Sequence, residues 1–275
     1  MQTRRVNDVL VVPVQLENAH SRPVLGSSLF PTLYSNIAIV SRKKSGKSML
    51  IANILNRCID RTTKVVIVCP TIYNDATWIA IVKQLRKRKI DFTIFTDLME
   101  DGEPVLNTLI EALQSQPEPE QKTRRKKKQP QTLGDSMFGV EPPTVKPAKK
   151  SKLQAPEWLV VVDDCSHSLR QCAGSLERLV KVSRHLHVKL IVSTQNTTDM
   201  SPGCWRNIDS LLVFRGMNEE KLEKMFTFLD LHIDFETFLQ VYRQAVSTPY
   251  SFLNVDCRLD TYRINFNLEF VLSST

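Results

Sequence analysis

The chain has 275 residues, 42% hydrophobic and 24% charged, with a formal net charge of +8 and a mean hydropathy of −0.20. That supplies the core of one large soluble domain or of two small ones, and the longest apolar runs, such as Trp158 to Val162, stop far short of the ~20 residues an integral membrane span needs. Met1 to Val14 has no secretory h-region, and Cys58, Cys69, Cys165, Cys172, Cys204 and Cys257 show neither C-x-x-C nor zinc-finger spacing, a pattern expected of reduced thiols in a reducing compartment rather than of a secreted disulfide scaffold or a zinc module.

Ile37 to Val40 reads as a strand, and Leu50, Ile51, Ile54, Leu55 and Cys58 recur at helical spacing soon after it. Between them lies Ser41-Arg-Lys-Lys-Ser-Gly-Lys-Ser48, a match to G-x-x-x-x-G-K-[ST] except at Ser41, where the first glycine is expected. The pattern suits phosphate chemistry. Backbone N–H groups at a helix start wrap the phosphates, a lysine reaches the β/γ-phosphates, and a hydroxyl holds Mg²⁺. Ser41, Lys44, Ser45, Gly46, Lys47, Ser48 and Met49 are therefore the candidate nucleotide cradle, with Ser48 a candidate metal ligand. Ser41 requires the first turn to avoid backbone angles that only glycine tolerates, or to bear strain.

Next come a strand over Lys64 to Cys69, a helix over Ala76 to Arg88, a strand over Phe92 to Phe95 and a short helix over Val105 to Leu113. From Gln114 to Glu157 there are ten Lys/Arg against five Asp/Glu, and seven of the fourteen prolines. Such a segment cannot offset the entropy of ordering itself. It reads as a disordered basic insertion (114–157) within a single domain spanning 1–275. Its run Lys122 to Lys128 suits a nuclear-import signal or a DNA-contacting arm, or else a solvated linker.

Beyond it, the apolar strand ending in Asp163-Asp164 supplies two carboxylates. In a P-loop NTPase one such acid orients Mg²⁺ and a second polarises the attacking water, so Asp163 is assigned to the metal and Asp164 to the water. Helix capping is the plainer alternative. A helix stripe at Leu169, Cys172, Ala173, Leu176, Leu179 and Val180 leads to Arg184, a candidate arginine finger for a neighbouring subunit or merely a cation at a helix end. Arg206 and Arg215 compete for that role. The strand Lys189 to Ser193 carries Gln195 at its tip, where an amide can sense the γ-phosphate or place water if this strand adjoins the P-loop strand.

Leu211 to Phe214 is another strand, and residues 217–275 read as a helical pair followed by two terminal strands, Tyr250 to Val255 and Tyr262 to Phe266. Strands alternating with helices imply an α/β fold, a mainly parallel sheet with helices on both faces. Tyr73, Trp78 and Trp205 are too dispersed for a base-stacking platform.

With the strand-borne P-loop, Asp163-Asp164, Gln195, the stretch Ser183 to Asn196 and the stretch Asn207 to Arg215 in view, the chain resembles the genome-packaging ATPases of large DNA viruses, virophages and Polinton-like elements. These belong to the FtsK/HerA division of P-loop motors. The resemblance covers Ile37 to Gly216, with a weaker echo in Tyr250 to Asp256 and Tyr262 to Phe266. It implies a RecA-like (ASCE) core, a homo-oligomeric ring of five or six subunits, and ATP- and Mg²⁺-dependent movement of double-stranded DNA into a preformed capsid. Capsid portal or vertex proteins would be partners, in the host nucleus, a cytoplasmic virus factory or the virion. By that likeness Asp163 and Asp164 form the Walker B pair and Gln195 is the coupling residue. A helicase or segregation motor, and an inactive DNA-tethering assembly protein, are the alternatives.

Overall fold

The computed structural model describes residues 23–115 and 153–272. Its first half holds β1 (Asn36–Val40), α1 (Lys47–Cys58), β2 (Lys64–Val68), α2 (Ala76–Arg88), β3 (Asp91–Phe95), β4 (Met99–Glu100), β5 (Glu103–Pro104) and α3 (Val105–Gln114). The second half holds β6 (Trp158–Asp163), α4 (Ser166–Gln171), α5 (Ala173–Val182), β7 (Val188–Thr194), α6 (Pro202–Trp205), β8 (Ser210–Phe214), α7 (Glu219–Leu229), α8 (Phe235–Ala245), β9 (Phe252–Asp256), β10 (Thr261–Ile264) and β11 (Leu268–Glu269).

Largely apolar strands must be covered on both faces, and β1, β7 and β8 are buried along their whole length. They sit inside a nine-stranded sheet of order β11-β10-β9-β8-β1-β7-β6-β2-β3. The run from β3 to β8 is parallel, and β9, β10 and β11 extend it antiparallel. The period of two along β1 divides its side chains between two cores. Ile37 and Ile39 face Leu50, Ile51 and Ile54 of α1 and Trp78, Ile81 and Leu85 of α2, while Ala38 and Val40 face the core that α3, α5, α7 and α8 cover. Each large apolar side chain so buried contributes about 1.5–3 kcal/mol, and the two layers hold the sheet rigid between them.

Helix boundaries follow local chemistry. Asp75 caps α2 by accepting from the N–H groups of Thr77 and Trp78, and Arg86, Lys87 and Arg88 stand at its negative end. Asn218 and Asp234 cap α7 and α8 in the same way. The helix stripe expected from Leu169 to Val180 is two helices, because Cys172 leaves helical geometry at φ −96°, ψ 17°. There its Sγ packs 3.2 Å from Met99 Sδ of the β4–β5 hairpin.

Most of the expected insertion lies outside the described residues. Its described ends belong to the fold: Gln114 closes α3, and Gln154 bridges to Val24. The segment from 217 onward shares the main sheet and core, as β9 pairs with β8 in antiparallel register. Parallel topology has one consequence for function: β1, β6 and β7 all end at the same edge, where ligands bind in open α/β sheets.

Candidate active site

β1 ends at Val40, and the chain turns before entering α1 at Lys47. Two residues of the turn are left-handed, Lys44 at φ 62° and Gly46 at φ 97°. Ser41 is not among them; its N–H bonds to Thr194 O at 3.1 Å and prolongs the β1–β7 ladder. The missing first glycine therefore imposes no strain. Gly46 is the position that needs its freedom, since its angle is one side chains rarely adopt.

α1 begins without a side-chain cap and without an acidic residue in its first turn. Its unpaired N–H groups and the helix dipole make this end attractive to an anion. Ser45 Oγ is buried with no hydrogen-bond partner, a donor that a phosphate oxygen would satisfy. The cavity above has a volume of ≈ 620 Å³ and is lined by residues 42–49, Thr71, Asn74, Asp75, Thr77, Asp163, Asp164, Gln195 and Tyr250. All seven candidate cradle residues except Ser41 line it. The arrangement fits a nucleoside triphosphate.

Lys47 Nζ lies 2.9 Å from Asp163 Oδ1 and 4.0 Å from Asp164 Oδ1. Asp163 is buried at the end of β6, an expensive place for a carboxylate unless several donors serve it. Trp78 Nε1 donates to its Oδ2 at 2.8 Å, and the Ser193 hydroxyl donates to its Oδ1. Asp164, one residue on, is left-handed at φ 56° and keeps its side chain 30% exposed. Gln195 Nε2 donates to Asp164 Oδ1 at 2.5 Å. This contact exists because β7 lies between β1 and β6, which puts the Gln195 tip between the cradle and the acids.

Among the described residues no group of three or more His, Cys, Asp or Glu could hold a metal. Mg²⁺ characteristically takes one or two protein oxygens and completes its shell with water and phosphate, so Ser48 and Asp163 suit it. Cys69 is a neighbour without a chemical part. Its Sγ is 4.0 Å from Asp163 Oδ2, and burial pushes its thiol up to about 11, which keeps it protonated.

Arg184 does not join this group. It stands between α5 and β7, at the edge where the parallel strands begin, and its guanidinium binds the carboxylate of Asp209. The seven residues of β7 separate it from Gln195, roughly 20 Å at ~3.3 Å per residue. Arg206 lines the same ≈ 330 Å³ cavity beside Arg184, with Lys181, His185 and Arg258. Arg215 is at the opposite edge, near Arg42 and Tyr250.

Several residues at the site have no role there in the sequence reading, and three of them make the contacts that matter most. Trp78 and Ser193 hold Asp163, and Tyr250 overhangs Gly46. The first two were hidden because their contacts join separate strands and helices; a Ser two residues before Gln195 on the same strand was the only local signal for Ser193.

No protein-family model matches the chain. A protein of Invertebrate iridescent virus 6, uncharacterized protein 075L, is 29% identical over 102 residues, which span 36% of this chain and 39% of that protein. The solved structure of the genome packaging NTPase B204 from Sulfolobus turreted icosahedral virus 2, in complex with AMP, superposes with a TM-score of 0.51 at 16% identity, covering 85% of this chain and 97% of that one. B204, the DNA-packaging ATPase from Sulfolobus turreted icosahedral virus, gives a TM-score of 0.51 at 14% identity over 85% and 98% of the two chains. The fold is that of the viral genome-packaging NTPases. The AMPPCP complex of the former enzyme has a TM-score of 0.50 at 15% identity, so nucleotide-bound structures exist for this packaging-NTPase fold.

Proposed function

We propose that the chain is an ATP hydrolase of the FtsK/HerA type that works as a ring and drives double-stranded DNA into a capsid. The observation that carries the hydrolase reading is the contact chain Lys47–Asp163 and Asp164–Gln195 at the head of an uncapped helix. ATP with Mg²⁺, when bound, supplies the phosphoryl group and neutralises part of its charge. Ser48 and Asp163 are the residues suited to the metal. Lys47 stabilises negative charge at the γ-phosphate position. Asp164, the more exposed carboxylate, orients water and accepts its proton at Oδ1 or Oδ2. Gln195 holds Asp164 through its amide and so links the acid to the tip of β7.

Arg184 lies too far from its own chain's cradle to act there, so in this reading it serves the site of the next subunit. Its ion pair with Asp209 keeps the guanidinium at the sheet edge until that neighbour is present. The intact acid pair favours a working enzyme over an inactive tether. Double-stranded DNA and capsid portal or vertex proteins are the partners this reading requires. DNA-dependent ATP turnover, measured alongside the particle mass with and without nucleotide, tests it: a five- or six-fold mass with turnover raised by duplex DNA supports the motor, and a monomer unaffected by DNA contradicts it.

A further inference from the structure

The order of groups across the cradle gives a direction to any nucleotide in it. Lys47, Asp163, Asp164 and Gln195 gather on the β7 and β6 side of the loop, where the terminal phosphate belongs. The nucleoside must leave on the other side, toward β8 and β9. A second cavity of ≈ 300 Å³ opens there, lined by residues 42–45, Phe214, Arg215, Pro249, Tyr250 and Ser251. Arg42, Lys43, Lys44, Ser45 and Tyr250 line both cavities, so the two spaces adjoin.

Tyr250 is the unexplained residue at their junction. It is 72% exposed, an unusual state for a large aromatic, and its backbone is left-handed at φ 63°. Its ring reaches over the loop to within 3.4 Å of where a side chain on Gly46 would begin. Its successors Ser251 and Phe252 are buried, so β9 fixes the backbone that presents the ring. Arg42, in the lining of both cavities, lies along Gly216, another left-handed glycine, and a side chain at that position would meet Arg42 Cδ at 3.1 Å. A planar group laid on the Tyr250 ring would have a stacking surface, and the flat cation of Arg42 belongs to the same lining.

We infer that Tyr250 is the nucleobase platform of this site, stacking the base of the bound nucleoside triphosphate, with Arg42 in the same lining. This rests on the nucleotide-site reading above. Stacking on an aromatic face tolerates any base, so purines should be held better than pyrimidines with little choice between adenine and guanine.

Calorimetric titration of the purified full chain with Mg²⁺-ATP and, separately, with Mg²⁺-tripolyphosphate tests the inference. Tyr250→Ala should weaken ATP binding about 10- to 100-fold while changing tripolyphosphate binding less than 2-fold, and Tyr250→Phe should bind ATP as the wild type does. Equal loss for both ligands, or unchanged ATP affinity in Tyr250→Ala, overturns the platform. Retained ATP affinity with weakened binding of a duplex DNA overturns it too and gives the ring to DNA. Lys47→Ala distinguishes the underlying reading: if that variant binds both ligands as tightly as the wild type, the phosphate cradle itself is wrong.

Discussion

Trp78 Nε1 donates a 2.8 Å hydrogen bond to Asp163 Oδ2, joining α2 to the end of β6 beneath the phosphate cradle. Both partners are buried, so the indole serves a carboxylate that is largely withdrawn from bulk water. Trp78→Phe keeps most of the apolar contact and removes the donor. It should lower stability by about 1–3 kcal/mol in denaturant unfolding and reduce ATP turnover at saturating nucleotide. An unchanged unfolding midpoint would show that Asp163 finds another donor.

The carboxylate pair separates binding from chemistry. Asp164→Asn should still bind Mg²⁺-ATP but turn it over at least ~100-fold more slowly, because an amide cannot accept the water's proton. Asp163→Asn should instead weaken metal-dependent binding. Nucleotide affinity measured with and without Mg²⁺ beside single-turnover rates distinguishes them, and the reverse pattern exchanges the two roles.

Much of this site was legible because each part sits at a strand end. The P-loop between Val40 and Leu50, the acids after Val162 and Gln195 after Thr194 are all marked by apolar runs that stop abruptly. Strand order was not legible. Gln195 beside Asp164 and Trp78 against Asp163 depend on pairings between segments 31 and 85 residues apart, which no local period encodes. The two-residue strands β4 and β5 are too short to show a period. The break at Cys172 keeps the phase of the apolar stripe, so the stripe conceals it. The sequence pattern places Tyr250 at the start of a strand that in the structure begins at Phe252, and that difference of two residues is what leaves its ring over the loop.

Lys189 gives a pH signature. It is buried at the start of β7, donates to Thr32 O and Ser35 Oγ at 2.9 Å each, and lies over the Phe30 ring. Burial pulls its amine down from 10.5 to about 8, against weaker opposing effects of Cys58 and Asp209. Between those values the unfolded chain binds a proton that the folded chain lacks, so stability from this group rises as pH climbs from about 8 to about 10.5 and is lost as pH falls. Relative to Lys189→Met, the wild type should gain up to about 3 kcal/mol across that window in guanidinium unfolding. Parallel pH profiles would contradict this.

Arg184→Ala should bind ATP normally and lose hydrolysis by ~10³-fold or more if its guanidinium completes a neighbour's site. Mixing it with Lys47→Ala should restore part of the activity, because some interfaces then combine an intact cradle with an intact arginine. No recovery in rings shown by mass to be mixed would leave Arg184 with only its Asp209 ion pair and move the role to Arg206 or Arg215.

The central claim is that Lys47 heads a working phosphate site. ATP turnover by the purified full chain in the presence of duplex DNA, compared with that of Lys47→Ala at matched fold content by circular dichroism, tests it most directly. The wild type should show DNA-stimulated hydrolysis and the variant at least ~100-fold less, because it loses the main cation on the β/γ-phosphates without touching the core. Near-wild-type turnover by a folded Lys47→Ala protein would contradict it.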